Sequence, residues 1–185
     1  MDVCFNALQR ARLCRNRADV EAVAVSTIYR GARAKMTDEI EIRQADRDCL
    51  AQLTPLFDAY RQFYGQPSNE AVVERFLAER FEQQDSVVFL ACRGTEAAGF
   101  AQLYPSLSSV ALRRLWVLND LFVRPEARRR HVAERLIKQA IAFARSTGAC
   151  RLTLATGCEN LAAQRLYAKL GWLQDDAFVH FKYAL

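Results

Sequence analysis

Leu118-Asn119-Asp120-Leu121-Phe122-Val123-Arg124-Pro125-Glu126-Ala127-Arg128-Arg129-Arg130-His131-Val132-Ala133 is the stretch whose reading decides the fold. Its first part continues the apolar run that starts at Leu115 and is broken only at Asn119-Asp120, so Leu115 to Val123 reads as a central strand. Pro125 closes that strand, because it has no N–H for a central ladder. Beyond it Val132, Leu136, Ala140, Ile141 and Ala144 recur at helical spacing, predicting a helix from about His131 to Thr147 with Gly148 as its stop. A strand that feeds a short loop into a helix gathers unpaired backbone N–H groups at the positive end of the helix dipole. That is an anion site suited to a pyrophosphate. Arg128, Arg129 and Arg130 add positive charge there, and arginine pairs bidentately with phosphate.

Working outward from this junction, the chain alternates between the two periodicities. Ile40 to Arg43 alternates like a half-buried strand, and Leu50, Leu53, Leu56, Phe57, Tyr60 and Tyr64 follow at helical spacing up to Gly65-Gln66-Pro67-Ser68. Ser68 or Asn69 starts a second helix with Val72, Val73, Phe76, Leu77 and Phe81 on one stripe. Ser86 to Arg93 and Gly99 to Tyr104 read as a hairpin across Gly94-Thr95. After the long helix come a strand from Arg151 to Thr156, a helix from Leu161 to Leu170 ended by Gly171, and a final strand from Phe178 to Ala184. The order β-α-α-β-β-β-α-β-α-β-β predicts an α/β fold. It is expected to be one mixed, mostly antiparallel sheet of about seven strands with helices on both faces.

Composition bounds the remainder. The chain has 185 residues, 51% hydrophobic and 25% charged with 7 Gly and 4 Pro, which fits one globular domain and excludes collagen-like or wholly disordered readings. Its net charge of +5 raises the question of a polyanionic partner. Seven basic and three acidic residues, +4 in all, fall in residues 1–35, which read as a poorly ordered basic extension preceding a domain of residues 36–185. The domain itself is close to neutral, which argues against nucleic acid. In the extension Val20 to Tyr29 is short and contains Glu21, so neither a membrane span nor a secretory signal is expected. Cys4, Cys14, Cys49, Cys92, Cys150 and Cys158 form no CxxC, and His131 and His180 are the only histidines. The cysteines therefore read as reduced thiols of a cytoplasmic protein without a metal site.

A second motif lies downstream. Asn160-Leu161-Ala162-Ala163-Gln164-Arg165-Leu166-Tyr167 precedes Lys169-Leu170-Gly171-Trp172, and Asn160 and Tyr167 are two helical turns apart, on one face. Taken alone, Asn160 reads as a helix cap and Tyr167 as an amphipathic core residue. Together the two motifs resemble the GNAT superfamily of N-acetyltransferases, over nearly all of residues 38–185 in element order. The family's loop reads Gln/Arg-x-x-Gly-x-Gly/Ala. Arg128 and Ala133 match it, while His131 stands where the family has its first glycine, a position where a positive φ could be required.

The resemblance implies direct transfer from acetyl-coenzyme A to an amine in a ternary complex, with no metal. It implies that backbone groups of Leu121, Phe122 and Val123 hold the pantetheine arm. The loop and helix start, Arg128, Arg129, Arg130, His131, Val132, Ala133 and Glu134, would hold the pyrophosphate, and Asn160 would contact the coenzyme. Tyr167 becomes the candidate general acid for the departing thiolate. Asp120 is a candidate base or ammonium ligand, and reads equally as a buried polar group at a strand irregularity. The acceptor, a small-molecule or peptide amine, is expected against Tyr60 to Pro67, including Tyr64, and a loop from Tyr104 to Ser109. A non-catalytic acetyl-coenzyme A-binding regulator and a nucleic-acid-binding module using the arginine clusters are the alternatives; monomer and homodimer both stay open.

Overall fold

The computed structural model describes residues 39–181, 183 and 184; the basic extension lies outside the described residues. Nine elements follow one another: β1 (Ile40–Gln44), α1 (Leu50–Phe63), α2 (Glu70–Gln83), β2 (Val87–Arg93), β3 (Glu96–Ser108), β4 (Arg113–Val123), α3 (Val132–Ser146), β5 (Leu152–Thr153) and α4 (Leu161–Lys169). They form an α/β fold around one mixed sheet in the order β1-β2-β3-β4-β5. The pairs from β1 to β4 are antiparallel and β4–β5 is parallel.

Each face of the sheet carries its own core. Phe89, Ala101, Leu103, Trp116 and Leu118 pack under Leu136, Ile137 and Ala140 of α3. On the other face Leu90, Phe100 and Phe122 meet Leu53, Leu56 and Phe57 of α1 and Val73 and Leu77 of α2. Full burial of one such side chain stabilises by about 1.5–3 kcal/mol, so the two layers fix the sheet between helices. At the centre the strands approach closely: a Cβ on Gly99 would stand 2.5 Å from the Phe122 carbonyl oxygen. The Asn119-Asp120 interruption is a β-bulge. Gln102 pairs with Asp120 and Leu103 with Leu118, leaving Asn119 as the extra residue.

Four expectations change. The described residues contain five strands rather than about seven. The stretch expected as a final strand, 178–184, is not one among its described residues, and Phe178, Val179, Phe181 and Tyr183 are 72–93% exposed. Its alternation supplies strand propensity, but a strand forms only against a ladder partner, and these residues have met none. The segment Arg151 to Thr156 shrinks to the two residues of β5, paired only with Trp116 and Val117. The expected loop from Tyr104 to Ser109 is mostly strand, because β3 pairs with β4 as far as Ser108. Pro105 is tolerated there since β2 reaches only Leu103, leaving one edge of β3 free.

Candidate active site

Past Val117 the outer edge of β4, from Leu118 to Val123, has no partner strand among the described residues. That bare edge runs into a 3-10 turn at Pro125–Ala127 and then the start of α3. Arg129 (φ 61°) and His131 (φ 60°, ψ 14°) both lie in the left-handed region, which glycine would occupy without strain. The departure from the family's glycine therefore falls where a positive φ is used. His131 makes no side-chain cap to the helix, and the first intrahelical bond is from Arg135 N to the His131 carbonyl, 3.0 Å. The amides of Val132, Ala133 and Glu134 are thus left for an anion.

The side chains of the loop divide in role. Arg128 Nε donates to the Val123 carbonyl (3.2 Å), bracing the strand end, while Arg128, Arg129 and Arg130 are all exposed. Val132 is buried under the sheet, so it offers only its amide. The Glu134 carboxylate receives Lys138 Nζ at 2.8 Å and Lys169 Nζ at 2.9 Å and lies 3.3 Å from His131 Nδ1. These hydrogen bonds, that of Lys138 foremost, hold its carboxyl down at about 2. Lys138 and Lys169 mask the one acid of the helix start, and Lys169 ties α4 to α3. Sequence reading missed that tie, since nothing local links residues 35 positions apart.

Asn160 caps α4: its Oδ1 accepts from Ala163 N at 3.2 Å. Tyr167, on the next turns of that helix, stacks near Trp172 with ring centroids 5.9 Å apart. Its hydroxyl makes no hydrogen bond among the described residues, and burial raises its pKa, with Tyr64 adding a smaller effect. A phenol that is protonated and unengaged is suited to give up a proton to a thiolate.

On the opposite face, α1 and α2 meet at an elbow held by Asp58. This buried carboxylate accepts from Ser68 Oγ (2.6 Å), Asn69 N (2.8 Å) and Gln62 Nε2 (2.8 Å), with Arg61 at 3.8 Å. The Ser68 bond leads the set that lowers its pKa. The elbow fixes the last turns of α1, where Tyr60 and Tyr64 stand edge to face at 5.1 Å. Burial raises the Tyr60 pKa, and the neighbouring Asp120 adds to the rise. Asp120 is 6% exposed and takes Asn119 Nδ2 on both oxygens at 3.1 Å. No lysine, arginine or histidine pairs with it among the described residues, and burial lifts its pKa above the ordinary carboxylate range. Tyr104 completes the wall, its pKa pushed up to about 12 by burial and then by Asp120. Asp120 and Tyr64 were read from the sequence. Asp58 was missed, although a carboxylate four residues after Thr54 on the buried stripe of α1, ahead of Ser68-Asn69, was a signal available to find it.

Two cavities lie elsewhere. One of about 660 Å³ runs between β1 and α3 past Glu39, Arg135 and Lys138, and one of about 190 Å³ lies beside Arg93, Arg124 and Arg130. Neither includes Asp120 or Tyr167.

Comparison with known proteins identifies the family. Residues 53–172 match the model of the acetyltransferase (GNAT) family. The chain is 43% identical over 142 residues to an uncharacterized N-acetyltransferase, YhfO, of Bacillus subtilis (strain 168), covering 77% of this chain and 95% of that protein. It is 38% identical over 114 residues to a probable acetyltransferase of Haemophilus influenzae, covering 61% of this chain and 78% of that one. The crystal structure of a probable acetyltransferase, 40% identical, superposes with a TM-score of 0.75 over 78% of this chain and 97% of its own. With its bare β4 edge, open α3 start and capped α4 in that family's order, the chain belongs to the GNAT family of acetyltransferases.

Proposed function

We propose that this domain transfers an acetyl group from acetyl-coenzyme A to a primary amine of a small molecule or peptide, by direct attack in a ternary complex. The observation that carries the reading is the open N-terminus of α3 at the end of the bare β4 edge. A line of unpaired peptide groups leading to free helix amides matches an amide-bearing arm that ends in a pyrophosphate. On this reading the backbone of Leu121, Phe122 and Val123 takes the arm. The amides of Arg129 to Glu134 take the pyrophosphate, within reach of the exposed Arg129, Arg130 and His131 side chains.

The acceptor comes from the other face, against Asp120, Tyr60 and Tyr64. An amine attacks only when neutral, so a proton must leave its ammonium. Asp120 takes it, and the burial that raises its pKa makes it a stronger base than an exposed carboxylate. The new C–N bond forms at the thioester carbonyl, the C–S bond breaks and the sulfur takes the Tyr167 phenolic proton, while the proton that the acylated nitrogen sheds passes through solvent to restore the phenol.

A screen of amines with acetyl-coenzyme A that detects free thiol tests this directly; release with at least one amine is expected. Tyr167→Phe should then lower turnover by about 10²–10⁴-fold with little change in coenzyme affinity, and an unchanged rate removes Tyr167 from the acid role. A second reading, a non-catalytic acetyl-coenzyme A-binding protein, is kept by His131, whose strained side chain stands at the phosphate loop. Coenzyme binding without thiol release from any amine would select it.

A further inference from the structure

Beside Asp120 the sheet buries a second acceptor that nothing satisfies. Gln102 lies opposite Asp120 in the β3–β4 ladder and is 0% exposed. Its Nε2 donates to Ser86 Oγ at 2.9 Å, while its Oε1 is buried with no hydrogen-bond partner. Directly paired residues on one face of a sheet bring their Cβ atoms within about 5 Å. A buried carbonyl without a donor costs about 1–3 kcal/mol and calls for a partner. Two buried acceptors, a carboxylate and an amide oxygen, stand side by side, and no cation of this chain pairs with the carboxylate among the described residues.

We propose that Gln102 and Asp120 together form the seat for the acceptor nitrogen, and that the acceptor is a primary monoamine with an apolar body and no second charge beside the nitrogen. This rests on the acetyltransferase reading and narrows its substrate. A neutral primary amine keeps two N–H donors, one for Asp120 and one for Gln102 Oε1, with its lone pair left for the thioester. A neutral secondary amine keeps one, and leaves Gln102 Oε1 unpartnered again. The walls explain the body. Tyr60 stands 5.1 Å from Tyr64, 5.8 Å from Phe100 and 6.2 Å from Phe122 by ring centroid, an aromatic surface for alkyl or aryl groups. An α-amino acid would bring a carboxylate that needs a cation. Arg80, whose charge reaches Tyr104, is committed to Asp85 at 3.0 Å, and Arg61 to Asp58 and the Pro67 carbonyl.

The test compares 2-phenylethylamine, its N-methyl derivative and phenylalanine on the wild-type protein with acetyl-coenzyme A. The primary amine should exceed the N-methyl amine by about 10–100-fold in kcat/KM, with phenylalanine lower still. Gln102→Leu should raise KM for the primary amine by a similar factor, leave KM for acetyl-coenzyme A unchanged, and bring the primary and N-methyl amines close together. Equal rates for the two amines on the wild type, a preference for phenylalanine, or a preference that survives in Gln102→Leu would each overturn the seat. Binding of 2-phenylethylamine to the coenzyme A-loaded protein, read as a rise in melting temperature that shrinks in Gln102→Leu, tests the seat apart from turnover. If no amine releases thiol while that rise is seen, the transfer reading fails and the seat stands; if the rise is absent, the seat fails.

Discussion

Three helix starts lie around the two halves of the site, and two of them are closed. The α2 start is sealed twice, by Asn69 Oδ1 accepting from Val72 N at 3.2 Å and by Asp58 accepting from Asn69 N. The α4 start is sealed by Asn160. The α3 start has neither device. Its cap residue is a left-handed histidine whose side chain caps no helix amide, and the one acid in its first turn is absorbed by Lys138 and Lys169. Side-chain caps satisfy helix amides internally at a gain of about 1 kcal/mol. Forgoing that at α3, and holding two non-glycine residues at positive φ besides, keeps amides available for something outside the chain. Stability is placed in the two closed starts, and binding in the open one.

The doubly sealed start is where breaking the contrast should have the largest effect. Asp58→Ala leaves Ser68 Oγ and Asn69 N without their buried acceptor, for an expected loss of about 3 kcal/mol in denaturant unfolding. Because Ser68 and Asn69 lower the Asp58 pKa, its contribution is present above the ordinary carboxylate value and is lost as pH falls through the lowered one. The stability gap between wild type and Asp58→Asn should therefore be full near neutrality and narrow in acid. A gap that widens on acidification would show that Asp58 is not held as a carboxylate. Coenzyme affinity should survive both changes, since the elbow belongs to the acceptor half.

The two single caps separate structure from binding. Asn69→Ala and Asn160→Ala should each cost about 1 kcal/mol, read as similar drops in melting temperature. Only Asn160→Ala should also reduce the shift that acetyl-coenzyme A gives. Equal shifts in both variants would make Asn160 a cap and nothing more.

What could be read in advance follows from the range of the interactions. The strand, loop and helix from Leu115 to Ser146 were legible because proline, a continuous apolar run and a 3.6-residue period are local signals. The positive φ at His131 was legible because a family loop marks that place for glycine. The acceptor half was legible only in part, at Asp120 and Tyr64. Gln102 becomes meaningful only through its register with Asp120, and the break at Asn119-Asp120 marks an irregularity without fixing that register. The Lys169–Glu134 bridge and the Asp58–Asn69 bond likewise join separate elements. The residues 178–184 mark the reverse failure, a local alternation with no strand beside it among the described residues to complete a ladder.

The smallest change is the one that sharpens the open start without closing it. His131→Gly keeps the left-handed turn and removes its side-chain strain, so the variant should be more stable by about 0.5–1 kcal/mol, even after the unfolded chain gains glycine's freedom. The imidazole also leaves Glu134, whose carboxylate keeps Lys138 and Lys169 and so stays ionised. If His131 merely occupies the family's glycine position, coenzyme affinity should be equal or tighter in the variant by calorimetric titration. If the ring itself donates to phosphate, stability should rise while affinity falls. Stability and affinity moving in opposite directions at one residue would mean that the strain at the open start is maintained for the anion rather than tolerated by the fold.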